Sequence, residues 1–239
     1  RIEIVHAEQV IDMGDSAAAI ELHRECLALR RALGDRVGVA SSLINLSTAL
    51  VDHGDDTQAV ALLEEALVIS REFNDARRTG AVLTNLGAAA RRAGRLTDER
   101  GYYRQALAVH RESGHRLGIA LALNNLGSVE ARLGHDVAAR RTVRAALAEA
   151  QAGQFDFVAL DALVTLALLA ARLGDATVAL EWLALPLHDP AAVAETVAAA
   201  RALLPDLSKD LPVVVVAVAL ERGRSQSLLE VVRHILASS

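Results

Sequence analysis

Gly14, Gly54, Gly94, Gly134 and Gly174 stand 40 residues apart in a chain of 239. Other positions keep the same phase: Asn45, Asn85 and Asn125; Leu43, Leu83, Leu123 and Leu163; Leu27, Leu67, Leu107 and Leu147. A fixed period of about 20–50 residues means a stack of like supersecondary units, none of which buries its apolar face alone. Such a stack presents an extended binding surface rather than a closed catalytic pocket. The period constrains the kind of work the chain does without naming a partner.

The unit from Asp35 to Asn74 reads as two helices. Leu43, Leu46 and Leu50 fall at i, i+3 and i+7, one apolar stripe of a helix A from Arg36 to His53. Gly54 is a left-handed stop, and Asp55 or Asp56 caps the next helix. That helix B runs to about Phe73, with Ala59, Leu63, Ala66 and Leu67 on one face. Gly34 and Gly114 stop helix B in their repeats, while Asn74 and Gln154 take that place in the others; Asp35 and Asp75 stand ready to cap the next helix A. The array begins with helix B of a unit whose helix A is truncated. Three full units come next, then a last one from near Phe155 to near Leu185, after which Pro186 and Pro190 break the phase. Residues 1–185 are therefore expected to form the array and residues 186–239 a helical cap.

Hydrophobic residues make up 52% of the chain and aromatics 3%. Much of the apolar fraction is Ala and Leu, which favours close-packed helices over sheets. The net charge of −5 argues against the basic face of a nucleic-acid binder. A single cysteine, Cys26, excludes an internal disulfide and fits a reducing cytoplasm. The apolar run Leu211 to Leu220 contains Pro212 and is far shorter than a membrane span. No signal peptide is visible. The chain opens at Arg1 in mid-repeat, as a segment of something longer would.

Positions 26, 66, 106 and 146 read Cys, Ala, Ala, Ala, so Cys26 is expected to be a small buried hydrophobe rather than a reactive thiol. Positions 19, 59, 139 and 179 are Ala, but position 99 is Glu. A carboxylate in a tight slot is costly unless the helix turns or the side chain finds a partner, and both remain open. Tyr103 takes the core slot of Leu63; Trp182 sits one residue before that slot and is expected to pack against the tail rather than hold a ligand.

The Asn-Leu-Gly triplets at 85–87 and 125–127, the Gly-Asp turns at 54–55 and 174–175, and Ala59, Ala66, Ala106, Ala139 and Ala146 resemble the tetratricopeptide repeat (TPR). The usual unit has about 34 residues. The 40-residue form with a Gly-Asp-Arg linker, as at 34–36, is similar to the repeats of Pins/LGN adaptors and to those of bacterial STAND-type signalling ATPases. The resemblance covers about residues 7 to 185 and implies an all-α, right-handed TPR superhelix (α-solenoid) of antiparallel helix pairs. In the tail, Pro190 to Leu204, a segment begun by Pro212, and Ser227 to Leu236 read as helices. The β-branched run Val213 to Val216 suits a strand by propensity, but its helical neighbours favour helix. Glu221-Arg-Gly-Arg224 before a Leu-Leu-Glu-Val-Val helix looks like the end of STAND-type proteins. This cap is expected to close the array with a more polar face.

The resemblance places the A helices on the concave face, with the Asn slot in the groove. That slot reads Asn45, Asn85, Asn125, Thr165; three residues on it reads Thr48, Ala88, Ser128, Leu168; four before, Ser41, Ala81, Leu121, Asp161. Seven residues on it reads Asp52, Arg92, Arg132, Arg172, and Arg78 extends the basic stripe. An amide offers both a donor and an acceptor, which suits a peptide main chain, and arginine suits an acidic side chain or C-terminal carboxylate. Two other readings stay open: the Asn slot bonds a neighbouring repeat, or the arginines are last-turn cations at helix ends.

No Walker A, His-Glu-x-x-His or Cys-x-x-Cys pattern occurs, and the eight histidines show no metal-ligand pairing. No nucleophile, base and stabiliser converge by spacing, which argues against an enzyme; no cofactor is expected. The chain thus reads as a cytoplasmic interaction or sensor module that binds a protein or peptide, with no nucleic acid or membrane as partner. The alternatives are a peptide or small-molecule receptor that switches an attached effector, and a self-associating scaffold.

Overall fold

The computed structural model describes residues 16–238. Gly14, His6 and the truncated first half-repeat lie outside the described residues, which form twelve helices and no strand. The chain divides into two compact units, residues 1–113 and 114–239.

The first unit holds α1 (Ser16–Ala32), α2 (Arg36–His53), α3 (Asp56–Glu72), α4 (Ala76–Arg92) and α5 (Leu96–Glu112). Helices A and B of a repeat pair as α2 with α3 and as α4 with α5; α1 is the helix B that precedes them. Asp35, Asp55 and Asp75 cap α2, α3 and α4, accepting from the backbone N–H of Gly38 (2.8 Å), Gln58 (3.0 Å) and Arg78 (2.9 Å). Of the two candidate caps for α3, Asp55 is the one that bonds.

The helix ends from Gly34 to Gly174 each close at a residue of positive φ. Gly54 adopts φ +92°; its N–H donates to the Val51 carbonyl (3.0 Å), and the Asp55 N–H donates to that of Leu50 (2.8 Å). These are the two bonds that close a helix at a left-handed residue. Asn74 (φ 53°) and Gln154 (φ 57°) take the same conformation without being glycine, as their phase requires.

The core of the first unit runs through Leu43, Leu46, Leu63, Ile69, Val82 and Leu86, with Ala40, Ala59 and Ala66 at the tightest contacts. Cys26 is buried and unbridged in its alanine slot. Where a slot carries a larger residue, the facing helix has given up a side chain. Tyr103 fills the space over Gly87, and His110 the space over Gly80. Glu99 is buried and engaged by the fold.

The second unit holds α6 (Arg116–Arg132), α7 (Asp136–Gly153), α8 (Asp156–Arg172) and α9 (Ala176–His188), then the tail helices α10 (Ala194–Ser208), α11 (Val213–Ser225) and α12 (Leu228–Ala237). α6 pairs with α7 and α8 with α9. Pro186 does not end the last repeat: it lies inside α9, which continues to His188 at the cost of one ladder bond in its final turn. α10 begins four residues after Pro190 and accommodates Pro205. The run Val213–Val216 is helical, opening α11 after Pro212.

The tail wraps the last repeats. Val231, Val232 and Ile235 of α12 enter the core of α6–α8, and Leu207 and Ala219 pack with Leu180 and Leu183. Gly223 lets α11 cross against the Glu181 carbonyl and Ala184 of α9, where no side chain fits. The outer face of α11 is not polar as expected: Val213 and Val214 are 85% and 72% exposed, because the buried side of this helix is set by Ala219 and Gly223.

Two consequences are measurable by denaturant unfolding. Gln154→Gly relieves a left-handed side chain and is expected to raise stability by about 0.5–1 kcal/mol. Gly87→Ala drives a methyl group into the Tyr103 ring and is expected to cost about 1–3 kcal/mol. Tyr103→Leu, which restores the residue found at position 63, should recover most of that loss in the double variant.

Candidate functional site

On the A-helix face of the first unit, Asn45 is exposed and Asn85 half-buried. Neither side-chain amide bonds to any other described residue. Between α2 and α4 lies an open pocket of about 180 Å³, whose walls include Thr48, Val51, Asn85, Ala88 and Arg92, with Leu63 of α3 at its floor. Thr48 spends its hydroxyl proton on the Ile44 carbonyl (3.2 Å), which leaves its oxygen as an acceptor.

The arginines behave differently from the asparagines. Arg92 donates through Nε to Asp56 at the start of α3 (2.7 Å). An exposed pair of this kind contributes about 0–1 kcal/mol, and only one of the guanidinium donors is used. Arg78 is held more closely: it pairs with Asp75 and donates to the Ser41 hydroxyl (3.2 Å), with 14% of its side chain exposed. It does not extend a free basic stripe, since its partners are the helix cap and the neighbouring A helix.

In the second unit Asn125 is half-buried and its amide also bonds to no described residue; Ser128 lies beside it, half-buried. Arg172 repeats the contact of Arg92, donating to Asp136 (2.5 Å) and to the Ala131 carbonyl (2.8 Å). Arg132 is exposed and engaged in an interaction of its own. The sequence position that corresponds to Asp56 and Asp136 there is Leu96. The slot seven residues after the asparagine thus carries repeat-to-repeat ion pairs at residue offsets of 36.

One polar cluster escaped the sequence. Asn124, 2% exposed, donates through Nδ2 to Asp161 Oδ2 (2.5 Å), and Thr196 of α10 donates to Asp161 Oδ1 (2.9 Å). Asn124 Oδ1 is buried without a partner. α10 therefore covers a position of α8 that the groove reading put on the same face as the asparagine slot. The signal was legible as a paired exception: Asn124 stands where other repeats have Ile44, Thr84 and Val164, and Asp161 where they have Ser41, Ala81 and Leu121.

Among the described residues no group of three or more His, Cys, Asp or Glu side chains is arranged to hold a metal ion, and no helix is long and apolar enough to cross a membrane. His23 and His110 are buried; the other described histidines are exposed.

Models of the tetratricopeptide repeat match residues 5–72 and 79–113, and neither model is that of a catalytic family. No curated protein matches the chain. Among solved structures, BtubC (BKLC) from P. vanneervenii is similar with a TM-score of 0.66 at 19% identity, over 93% of this chain and 91% of that one. A putative kinesin light chain from Podosopora anserina, with nearly identical TPR-like repeats, gives 0.60 at 16%, over 88% and 97%. The apo form of RapI gives 0.73 at 15%, over 98% and 72%. At these identities the likeness is one of fold. Residues 5–72 and 79–113 thus match the tetratricopeptide repeat, and the described residues share the all-α repeat fold of these structures.

Proposed function

We propose that the A-helix face of the first unit binds an extended polypeptide segment. Asn45 and Asn85 hydrogen-bond its main chain, the pocket over Leu63 takes a side chain, and Arg92 reads an acidic side chain or a C-terminal carboxylate. Asn125, Ser128, Arg132 and Arg172 offer the counterpart face of the second unit, and Arg78 serves by fixing Ser41. The carrying observation is that the repeated amides make no bond within the fold, whereas the arginines beside them do. Each amide bond nets about 1 kcal/mol, so two would not hold a peptide without the pocket and a charge-assisted bond. We place this module in a larger signalling protein of the STAND or Pins/LGN kind, in the cytoplasm.

A second reading, a receptor that switches an attached effector, is favoured by one observation. Thr196 of α10 occupies Asp161, a contact that a ligand entering the second unit would displace.

A peptide-display screen on the wild type and on Asn45→Ala/Asn85→Ala tests the proposal. The wild type is expected to select a consensus, and the double variant to bind it about tenfold or more weakly with unchanged melting. Asp56→Asn releases Arg92 and should tighten peptides that carry a carboxylate, in a salt-dependent way. Binding that survives the double substitution would remove the asparagines from the site. Sedimentation of the same samples scores self-association.

A further inference from the structure

In the second unit, α9 and α12 border an open cleft of about 460 Å³. Its lining joins Val178, Glu181 and Trp182 of α9 to Gln226, Glu230 and His234, the last two on α12. The apolar part of the wall is Trp182, Val178 and Val231. Its charged part is two carboxylates that come from different helices.

Each carboxylate keeps an oxygen that makes no hydrogen bond to a described residue. Glu230 closes the capping box of α12: its Oε2 accepts from the Ser227 N–H (3.2 Å), and its other oxygen makes no hydrogen bond to a described residue. Its contacts with the Ser227 backbone and then the Ser227 side chain, aided by the charge of Arg233, hold its carboxyl below the ordinary value. Glu181 has 22% of its side chain exposed and meets one cation, Arg222, at 3.7 Å; the Arg222 side chain is itself 69% exposed. A contact that long and that open is a weak pair. The remaining titratable group on the wall is His234, which is exposed.

An indole beside two carboxylates is the chemistry that recognises a planar organic cation. A guanidinium stacks on an aromatic ring and gives paired N–H bonds to a carboxylate. The fold already places one guanidinium, that of Arg222, loosely at this rim. We propose that this cleft is a guanidinium-binding site, in which Trp182 takes the cation against its ring system and Glu181 and Glu230 accept its N–H groups. The ligand is an alkylguanidinium, either free or as the arginine side chain of a partner peptide. This site is separate from the asparagine face of the first unit and does not depend on the reading given to it.

Trp182 is the sole tryptophan of the chain, so fluorescence excited selectively at tryptophan, apart from Tyr102 and Tyr103, reports on the surroundings of this cleft. The full chain is titrated with butylguanidinium, with butylurea as the neutral planar isostere, and with acetyl-Gly-Arg-Gly-amide. Butylguanidinium is expected to change the emission saturably, and butylurea is not. A tripeptide that binds more tightly than butylguanidinium assigns the site to peptide arginine; the reverse order assigns it to a free guanidine. Glu181→Gln and Glu230→Gln are expected to weaken binding about tenfold each. The Glu230→Gln substitution keeps the capping box, because an amide oxygen accepts from the same N–H, so α12 should persist, with melting as the check. Arg222→Ala removes the resident competitor and should tighten binding. An emission that no guanidinium changes, an equal response to butylurea, binding that survives both glutamine substitutions, or weaker binding on loss of Arg222 overturns the proposal.

Discussion

The repeat array depends on chain reversals held by one residue at positive φ, recurring from Gly34 to Gly174. Gly54 shows the device: two backbone bonds, 54 to 51 and 55 to 50, satisfy the carbonyls that a helix end leaves open. The adjacent Asp55 then caps the next helix. Stop and start occupy neighbouring residues, so helix B leaves helix A antiparallel and in a fixed rotation. Repeating that geometry every 40 residues returns each slot to the same environment. It is this return, rather than any single contact, that brings alanine back at positions 59, 139 and 179 and at 66, 106 and 146, and sets Gly87 and Gly80 against Tyr103 and His110.

The same regularity separates structural slots from spare ones. Seven residues after the asparagine, Arg92 and Arg172 each reach back to an aspartate at the start of the preceding helix B. Further exposed contacts run between successive B helices at offsets of 34, from Arg24 to Gln58, Arg31 to Glu65 and Arg71 to Gln105. Each is individually worth little in water. Asparagines 45, 85 and 125 enter none of these ladders. That these side chains recur in phase yet contribute no bond to the fold is the ground on which we propose a binding role for them.

Helices and their ends are legible in the sequence because the responsible signals are local. The 3.6-residue stripe, the aspartate caps and the left-handed residue lie within a few positions of the feature they cause. That reach extends to Asn74 and Gln154, which hold the left-handed position by phase alone. It fails at Pro186, where a helix tolerates a proline in its last turn. What stays hidden is non-local. Arg92 reads as a free cation because Asp56 lies 36 residues away and reads only as a possible cap. The meeting of Asp161 with Thr196 of α10 depends on how the tail folds back, and no periodicity encodes that. The cleft beside Trp182 has the same origin: its walls come from α9 and α12, which the repeat does not relate.

The claim that the asparagine slot is spare to the fold is tested most directly by equilibrium urea unfolding of Asn45→Ala/Asn85→Ala/Asn125→Ala. The account expects an unfolding free energy within about 0.5 kcal/mol of the wild type per substitution, as for surface positions without structural bonds. A loss of about 1–3 kcal/mol at each site, the cost of leaving a buried partner unpaired, would contradict it and make the amides part of the repeat junction.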